Sequence, residues 1–345
     1  MKGLADPHSS QMQPVIALKN VKTYYPIKSG VFSRIVSYTK AVDDVSFRIY
    51  PRETLGLVGE SGCGKSSLGR TIIGLEKITS GQIVFDGEDI AGYTHDQMRS
   101  VWKQIQMVFQ DPYSSLNPRK TVENMMEEIL RIHQIVPGNE INREINRILG
   151  LIGLSPEVRK RFPHEFSGGQ RQRISIAKAI TLRPKFLICD EATSALDVSI
   201  QAQILGLFKE LQAKLGLTCL FISHGLGAVK YISDRIAVMY LGKIVELAPA
   251  SGVFTEPRHP YTQALLSAYP VPDPKNRSRE KILLSGTVPS SANPPKGCRF
   301  HTRCPFKELR CSEEEPELSG DGGHQTACHL RINPSDWWEV YSQAV

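Results

Sequence analysis

Apolar and polar positions change period along this chain, and the changes mark out its elements. Val45, Phe47 and Ile49 alternate with polar neighbours, the period of a strand with one buried face. Thr54–Val58 is a short apolar strand that runs into a glycine-rich turn, and Ser66–Leu75 beyond it reads as a helix. Gln82–Phe85, followed by Asp86-Gly87, predicts an antiparallel strand with a turn, and Ile105–Phe109 a further strand. Residues from about 120 to 180 are mainly helical; Ile176, Ala179 and Ile180 share one face, and Pro184 ends the run. Phe186–Cys189 and Cys219–Ser223 are continuous apolar runs, which suit strands of a mainly parallel sheet covered on both faces. Val15–Leu18 begins a strand, Pro26–Lys40 is expected as an inserted loop, and residues 1–14 as a loose tail. Pro270, Pro272, Pro274, Pro289, Pro294 and Pro295 break regular structure and place a domain boundary near residue 267.

The pattern is that of an α/β protein, and composition agrees. With 345 residues, 41% apolar and 22% charged, the chain can bury a large core, which excludes wholesale disorder. The net charge of +7 suits a nucleic-acid or membrane-surface partner, but Lys and Arg form no dense block. No run approaches the roughly 18 to 20 apolar residues of a membrane span, and the polar start lacks a signal-peptide core, so a cytoplasmic protein is expected.

The chemistry begins at Gly59-Glu-Ser-Gly-Cys-Gly-Lys-Ser66. A strand enters this G-x-x-x-x-G-K-S loop and a helix leaves it, so backbone N–H groups and the helix N-terminus face a phosphate. Lys65 is expected to reach the β- and γ-phosphates and the Ser66 hydroxyl a Mg²⁺ ion, which implies ATP or GTP. Phe186–Asp190 is an apolar strand ending in two acids: Asp190 suits the outer shell of Mg²⁺, Glu191 the base that polarises a water.

At this point the sequence resembles the ABC ATPases. Phe166-Ser-Gly-Gly-Gln-Arg-Gln-Arg173 is similar to their signature motif, Ser194-Ala-Leu-Asp197 to their D-loop, and Gln110, His224 and Tyr25 take the places of the Q-loop glutamine, switch histidine and A-loop aromatic. The resemblance implies a P-loop core with an antiparallel β subdomain and a helical subdomain at about 114–180, over residues 15–266. It implies that Tyr25 stacks on adenine, and that Gly59, Ser61, Gly62, Cys63, Gly64, Lys65, Ser66 and Ser67 surround the phosphates. Gln110 joins Ser66 at Mg²⁺, and Gln110, Glu191 and His224 act on the attacking water. Ser167, Gly168, Gly169, Gln170 and Asp197 complete the nucleotide site of a second subunit, so that two subunits sandwich two nucleotides. Two positions depart from the family: Ala192 stands where Pro is usual, and Gly225, where Asp is common, is expected to loosen the switch segment.

The Pro26–Lys40 insertion, Gln110-Asp-Pro-Tyr-Ser-Ser-Leu-Asn-Pro-Arg119, His259-Pro-Tyr-Thr-Gln-Ala-Leu-Leu266 and a cysteine-bearing tail resemble the ATP-binding subunits of bacterial dipeptide and oligopeptide permeases. That likeness implies ATP-driven import of peptides or related solutes. It also implies a second, often non-identical ATPase subunit, two membrane-spanning permease subunits meeting residues 111–119, and an extracytoplasmic solute-binding protein. Nucleic acid is not an expected partner, although a soluble ATPase acting on nucleic acid or the ribosome, and a non-hydrolysing module, stay open as other readings. The tail, residues 267–345, carries Cys298-x5-Cys304-x6-Cys311-x16-Cys328. Four thiolates suit a [4Fe–4S] cluster, which relatives carry, with zinc or free thiols as alternatives. His301, His324 and His329 lie nearby with surface polar roles expected; Cys63 is expected to point outward, and Cys189 and Cys219 to be buried.

Overall fold

The computed structural model of the protein describes residues 12–30, 33–194, 196–268, 284 and 286–330; most of the expected tail, Ala195 and the end of the cysteine-bearing region lie outside the described residues. A four-stranded antiparallel sheet, ordered β2-β1-β4-β5, is made of β1 (Ile16–Ser29), β2 (Arg34–Ile49), β4 (Ser80–Phe85) and β5 (Glu88–Asp89). A second sheet of eight strands runs β11-β12-β10-β9-β3-β8-β7-β6. Its parallel centre is β9 (Arg235–Tyr240), β3 (Thr54–Val58), β8 (Thr218–Ile222), β7 (Phe186–Asp190) and β6 (Ile105–Val108). Every residue of β3, β7 and β8 is buried, which is why these segments read as unbroken apolar runs rather than alternating ones.

The Pro26–Lys40 insertion is not a loop. Both strands extend through it, with Pro26 opposite Tyr38 and Lys28 opposite Ile35, so it is the far end of a long hairpin. Ile35, Val36 and Tyr38 remain exposed there, so neither alternation nor burial announced the strand.

Between β6 and β7 lie α3 (Pro112–Ser115), α4 (Val122–Ile132), α5 (Ile141–Leu151) and α6 (Gly168–Ile180). Thr121 caps α4 by accepting from the Asn124 amide at 3.3 Å. Met125, Met126 and Leu130 of α4 share the core with Ile145, Ile148 and Leu149 of α5, the i, i+3, i+4 faces of two amphipathic helices. Glu144, between Arg147 and Arg183, has its pKa pulled down to about 2 by their hydrogen bonds and charge.

The C-terminal region extends the main sheet. β10 (Lys243–Pro249) pairs with β9, and β12 (His324–Thr326) pairs with β10 and with β11 (Ser319–Asp321). The junction is polar and completely enclosed. Glu246 is 0% exposed and accepts from the Arg258 amide at 2.8 Å, the His259 amide at 3.0 Å and the His324 ring at 2.7 Å. His324 is therefore an interior group, not the surface residue its polarity suggested.

His259 is 1% exposed, and its Nδ1 accepts from the Tyr261 amide at 3.0 Å. Burial pushes its pKa down to about 4, with the Glu246 charge acting against the shift. The folded chain thus holds a neutral ring where the unfolded chain, titrating near the ordinary 6.5, takes up a proton. This contribution is complete above pH 6.5 and is lost as pH falls toward 4, by up to about 3 kcal/mol. His259→Gln should therefore flatten the fall in urea midpoint between those two pH values, which denaturation at a series of pH values will read directly.

Candidate active site

The site is built around the end of β3. Gly59–Gly64 turns out of that strand and enters α1 (Lys65–Ile72) with Gly64 as its N-cap at φ +108°. A side chain at Gly64 would place its Cβ 1.9 Å from the Ala41 carbonyl oxygen, and at Gly59 2.1 Å from that of Met239. The loop is seated between β2 and β9 with no room for a side chain at either glycine. Lys65 is buried, its Nζ donating to the Gly59 and Glu60 carbonyls at 2.8 and 3.0 Å. Its ammonium is thus folded back over the loop.

Cys63 does not point outward. It is 5% exposed, its Sγ lies 3.8 Å from Lys65 Nζ, and its carbonyl accepts from the Gly242 amide at 2.8 Å. The loop curls so tightly that residue 63 turns under it, and burial pushes the thiol pKa up.

Ser66 and Asp190 meet across the first turn of α1, with the hydroxyl donating to Oδ1 at 2.8 Å. Asp190 is 2% exposed, and burial raises its pKa against the pull of Ser66, Arg70 and Lys65. A buried carboxylate short of positive charge, facing a hydroxyl beside a phosphate loop, fits a divalent cation.

Next in the chain, Glu191 takes φ +47°, which turns its side chain away from that of Asp190. Its Oε2 accepts from Gln110 Nε2 at 2.9 Å, and its Oε1 lies 3.5 Å from His224 Nδ1. The three residues come from the ends of β6, β7 and β8, so parallel strand order alone gathers them. Gly225 begins α8 (Leu226–Ile232) at φ −85°, and a Cβ there would meet only Ser223 Oγ at 3.5 Å. Its backbone does not require glycine; what α8 lacks is a capping side chain. Tyr25, on β1, lies beside Ser67, Arg70 and Glu76; burial raises its phenol pKa, with Ser67 opposing.

The second group of expected residues stands apart from this one. Ser167 caps α6: its Oγ accepts from the Gln170 amide at 3.4 Å, and Gln170 Oε1 accepts from the Ser167 amide at 3.1 Å. Gly169 permits the approach of α7 (Val198–Leu215), since its Cβ would fall 2.5 Å from Ile200 Cγ2. Asp197 caps α7, accepting from the Ile200 amide at 3.0 Å and the Ser199 hydroxyl at 2.7 Å, and these bonds lower its pKa. α1 packs on β1, β2, β7 and β8, whereas α6 packs on α3, α4, α7 and β6.

The four tail cysteines are free thiols in a common electrostatic field. Burial, then the charge of their fellow cysteines, pushes Cys304 and Cys328 up to about 12, and Cys298 is raised too. The Cys298 amide donates to the Cys311 carbonyl at 2.8 Å. Yet among the described residues no three His, Cys, Asp or Glu side chains are grouped to hold a metal ion, so the expected cluster-binding centre is not met. Of the neighbouring histidines, His301 bonds the Cys298 carbonyl at 2.8 Å and His329 that of Glu314 at 2.9 Å.

Sequence reasoning missed two partners of the loop, Tyr261 and Arg303, and with them Arg299, which bonds Leu241 and Asp43 beside it. Tyr261 lay within the noted His259–Leu266 motif, but nothing in it named Glu60 as its partner.

Comparison with known proteins bears on the family and the fold. Residues 42–194 match the ABC transporter family, and residues 245–311 match the oligopeptide/dipeptide transporter C-terminal region. The chain is 52% identical to the oligopeptide transport ATP-binding protein AppF of Bacillus subtilis (strain 168), over 93% of this chain and 99% of the relative. It is 47% identical to the oligopeptide transport ATP-binding protein OppF of Salmonella typhimurium, over 94% of this chain and 98% of that protein. Among solved structures, the ATP-binding cassette MJ0796 in a dimeric post-hydrolysis state with ADP and Pi superposes with TM-score 0.61 at 26% identity, over 68% of this chain and 98% of that one. CbiO1 of Clostridium perfringens, part of the ABC transporter complex cbiONQ, gives 0.60 at 26%, over 70% and 90%. An ABC ATPase core, the shared C-terminal region and near full-length identity lead to one assignment: the chain belongs to the ATP-binding proteins of oligopeptide/dipeptide ABC transporters.

Proposed function

We propose that this chain hydrolyses ATP to drive peptide import through a membrane ABC transporter. The observation that carries the reading is Glu191 held between Gln110 and His224 beside a complete phosphate loop. On binding, the triphosphate would replace the Gly59 and Glu60 carbonyls as partners of Lys65. Ser66, Asp190 and Gln110 would hold Mg²⁺, which neutralises phosphate charge. Gln110 and His224 orient Glu191 and a water, whose oxygen attacks the γ-phosphorus. Its proton passes to Glu191, the bond to the bridging oxygen breaks, and ADP and phosphate result.

Tyr25 takes the adenine, and the α6 cap of Ser167–Gln170, with Asp197, faces the nucleotide of a second ATPase subunit. In support, relatives named for oligopeptide transport align over nearly the full chain, and the MJ0796 cassette is dimeric. No helix among the described residues is long and apolar enough to cross a membrane. The transport role of the relatives supports membrane-spanning subunits on other chains, with this one on their cytoplasmic face. The contact would be α3 and its loop. Tyr113 is exposed yet stacks on Arg171 at 4.1 Å, and the Ser115 carbonyl accepts from Lys178 at 2.8 Å. A push on α3 therefore reaches the signature helix directly. We assign residues 1–14 to an N-terminal tail, residues 15–266 to the ATPase domain and residues 267–345 to the C-terminal region. We also carry the [4Fe–4S] centre at Cys298, Cys304, Cys311 and Cys328, with zinc as alternative, on the spacing of these four cysteines in the sequence.

Glu191→Gln should leave nucleotide binding intact and lower kcat of the assembled transporter by about 10²- to 10⁴-fold; undiminished turnover would remove Glu191 as the base. Affinity purification from detergent extracts should recover multi-span membrane proteins, and recovery of nucleic acid alone would overturn the transport reading. Anaerobic purification should yield about four iron and four sulfide per chain. One zinc would reassign the centre, and neither would leave four structural thiols.

A further inference from the structure

Glu60, second in the phosphate loop, is gripped by residues from the far end of the chain. Its backbone amide donates to Tyr261 Oη at 2.8 Å. Its carboxylate accepts from both terminal guanidinium nitrogens of Arg303, at 2.8 and 3.2 Å. The Arg303 side chain is 8% exposed and that of Glu60 26%, so water screens this bidentate pair poorly. Tyr261 is itself immobilised, its ring packed on Tyr240 at 4.7 Å and on Phe300 at 5.5 Å. Arg303 belongs to a tight segment in which its own amide donates to the Phe300 carbonyl at 2.9 Å. Arg299, on the same segment, holds the turn beside the loop rather than the loop itself. It bonds the Leu241 carbonyl at 2.5 Å and pairs with Asp43, and the neighbouring Gly242 amide holds the Cys63 carbonyl.

These contacts have two consequences for an anion in the loop. The Tyr261 oxygen occupies the Glu60 amide, so phosphate must be met by the later amides, whose directions follow from that anchor. Arg303 cancels a carboxylate that otherwise stands among groups arranged to attract negative charge. We propose that Tyr261 and Arg303 are positioning residues of the nucleotide site, through which the cysteine-bearing C-terminal segment sets the loop's affinity for ATP. The proposal rests on the reading that Gly59–Ser66 binds ATP.

The test is the affinity of the full-length chain for the Mg²⁺ complex of a non-hydrolysable ATP analogue, measured calorimetrically. Arg303→Gln exposes the Glu60 charge and should weaken binding about tenfold. Arg303→Lys should lose less. Adding Glu60→Gln to Arg303→Gln removes the uncompensated charge and should restore most of the affinity, a rescue that lost packing alone would not give. Thermal midpoints of all variants report folding separately. Arg303→Gln binding as tightly as the unaltered chain would overturn the positioning role while leaving the ATP reading in place. So would equal weakening in the single and double variants. If the unaltered chain fails to bind the analogue, the ATP reading falls and this proposal with it.

Discussion

A loop can offer several backbone amides to one anion only if its turns are free of side chains and its frame cannot move. Here that frame is the central position of β3, hydrogen-bonded to β8 on one side and β9 on the other. The loop it delivers fits against Ala41 of β2 and Met239 of β9 so closely that Gly59 and Gly64 admit no Cβ. The antiparallel sheet, β9 and the C-terminal segment all converge on this one turn.

How much of this was legible from sequence depended on range. The phosphate loop, the acidic end of β7 and the cap at Ser167 are local patterns, in which a few consecutive residues carry both the backbone conformation and the chemistry. The parallel core was legible too, because complete burial leaves an unbroken apolar run. The hairpin of β1 and β2 was not: its far end is exposed on both faces, so its side chains carry no record of pairing. Cys63 misled because local polarity cannot show which way a tight turn faces. The Arg303–Glu60 pair spans 243 positions, and one sequence holds no trace of that separation. The cysteine spacing was plain, but the grouping of side chains it suggested is absent among the described residues.

The polar interior divides into two kinds of group. Glu246 has three partners, Glu144 is held by two arginines, and Asp43 is shared by Arg299 and Tyr24. Each is a buried or half-buried charge whose desolvation is offset in full, as a framework requires. The nucleotide site is different. Asp190 is buried with one hydroxyl as its direct partner, and its pKa is raised rather than lowered. Lys65, also buried, is satisfied within its own loop, by the Gly59 and Glu60 carbonyls and the Cys63 sulfur.

That contrast distinguishes Glu60 from its neighbours in the site. It lies in the phosphate loop, yet its carboxylate is paired bidentately with a guanidinium, and its backbone amide is separately held by a phenol. A charge that took part in binding would be left available, as Lys65 and Asp190 are. A charge that merely decorated the loop would not be tied, across most of the chain, to a residue four positions from Arg299, which holds the Leu241 carbonyl. Glu60 is thus the point where the framework is fastened to the site. The loop leaves β3 and enters α1, which local sequence specifies, and at Glu60 it also meets Tyr261 and Arg303, which local sequence does not.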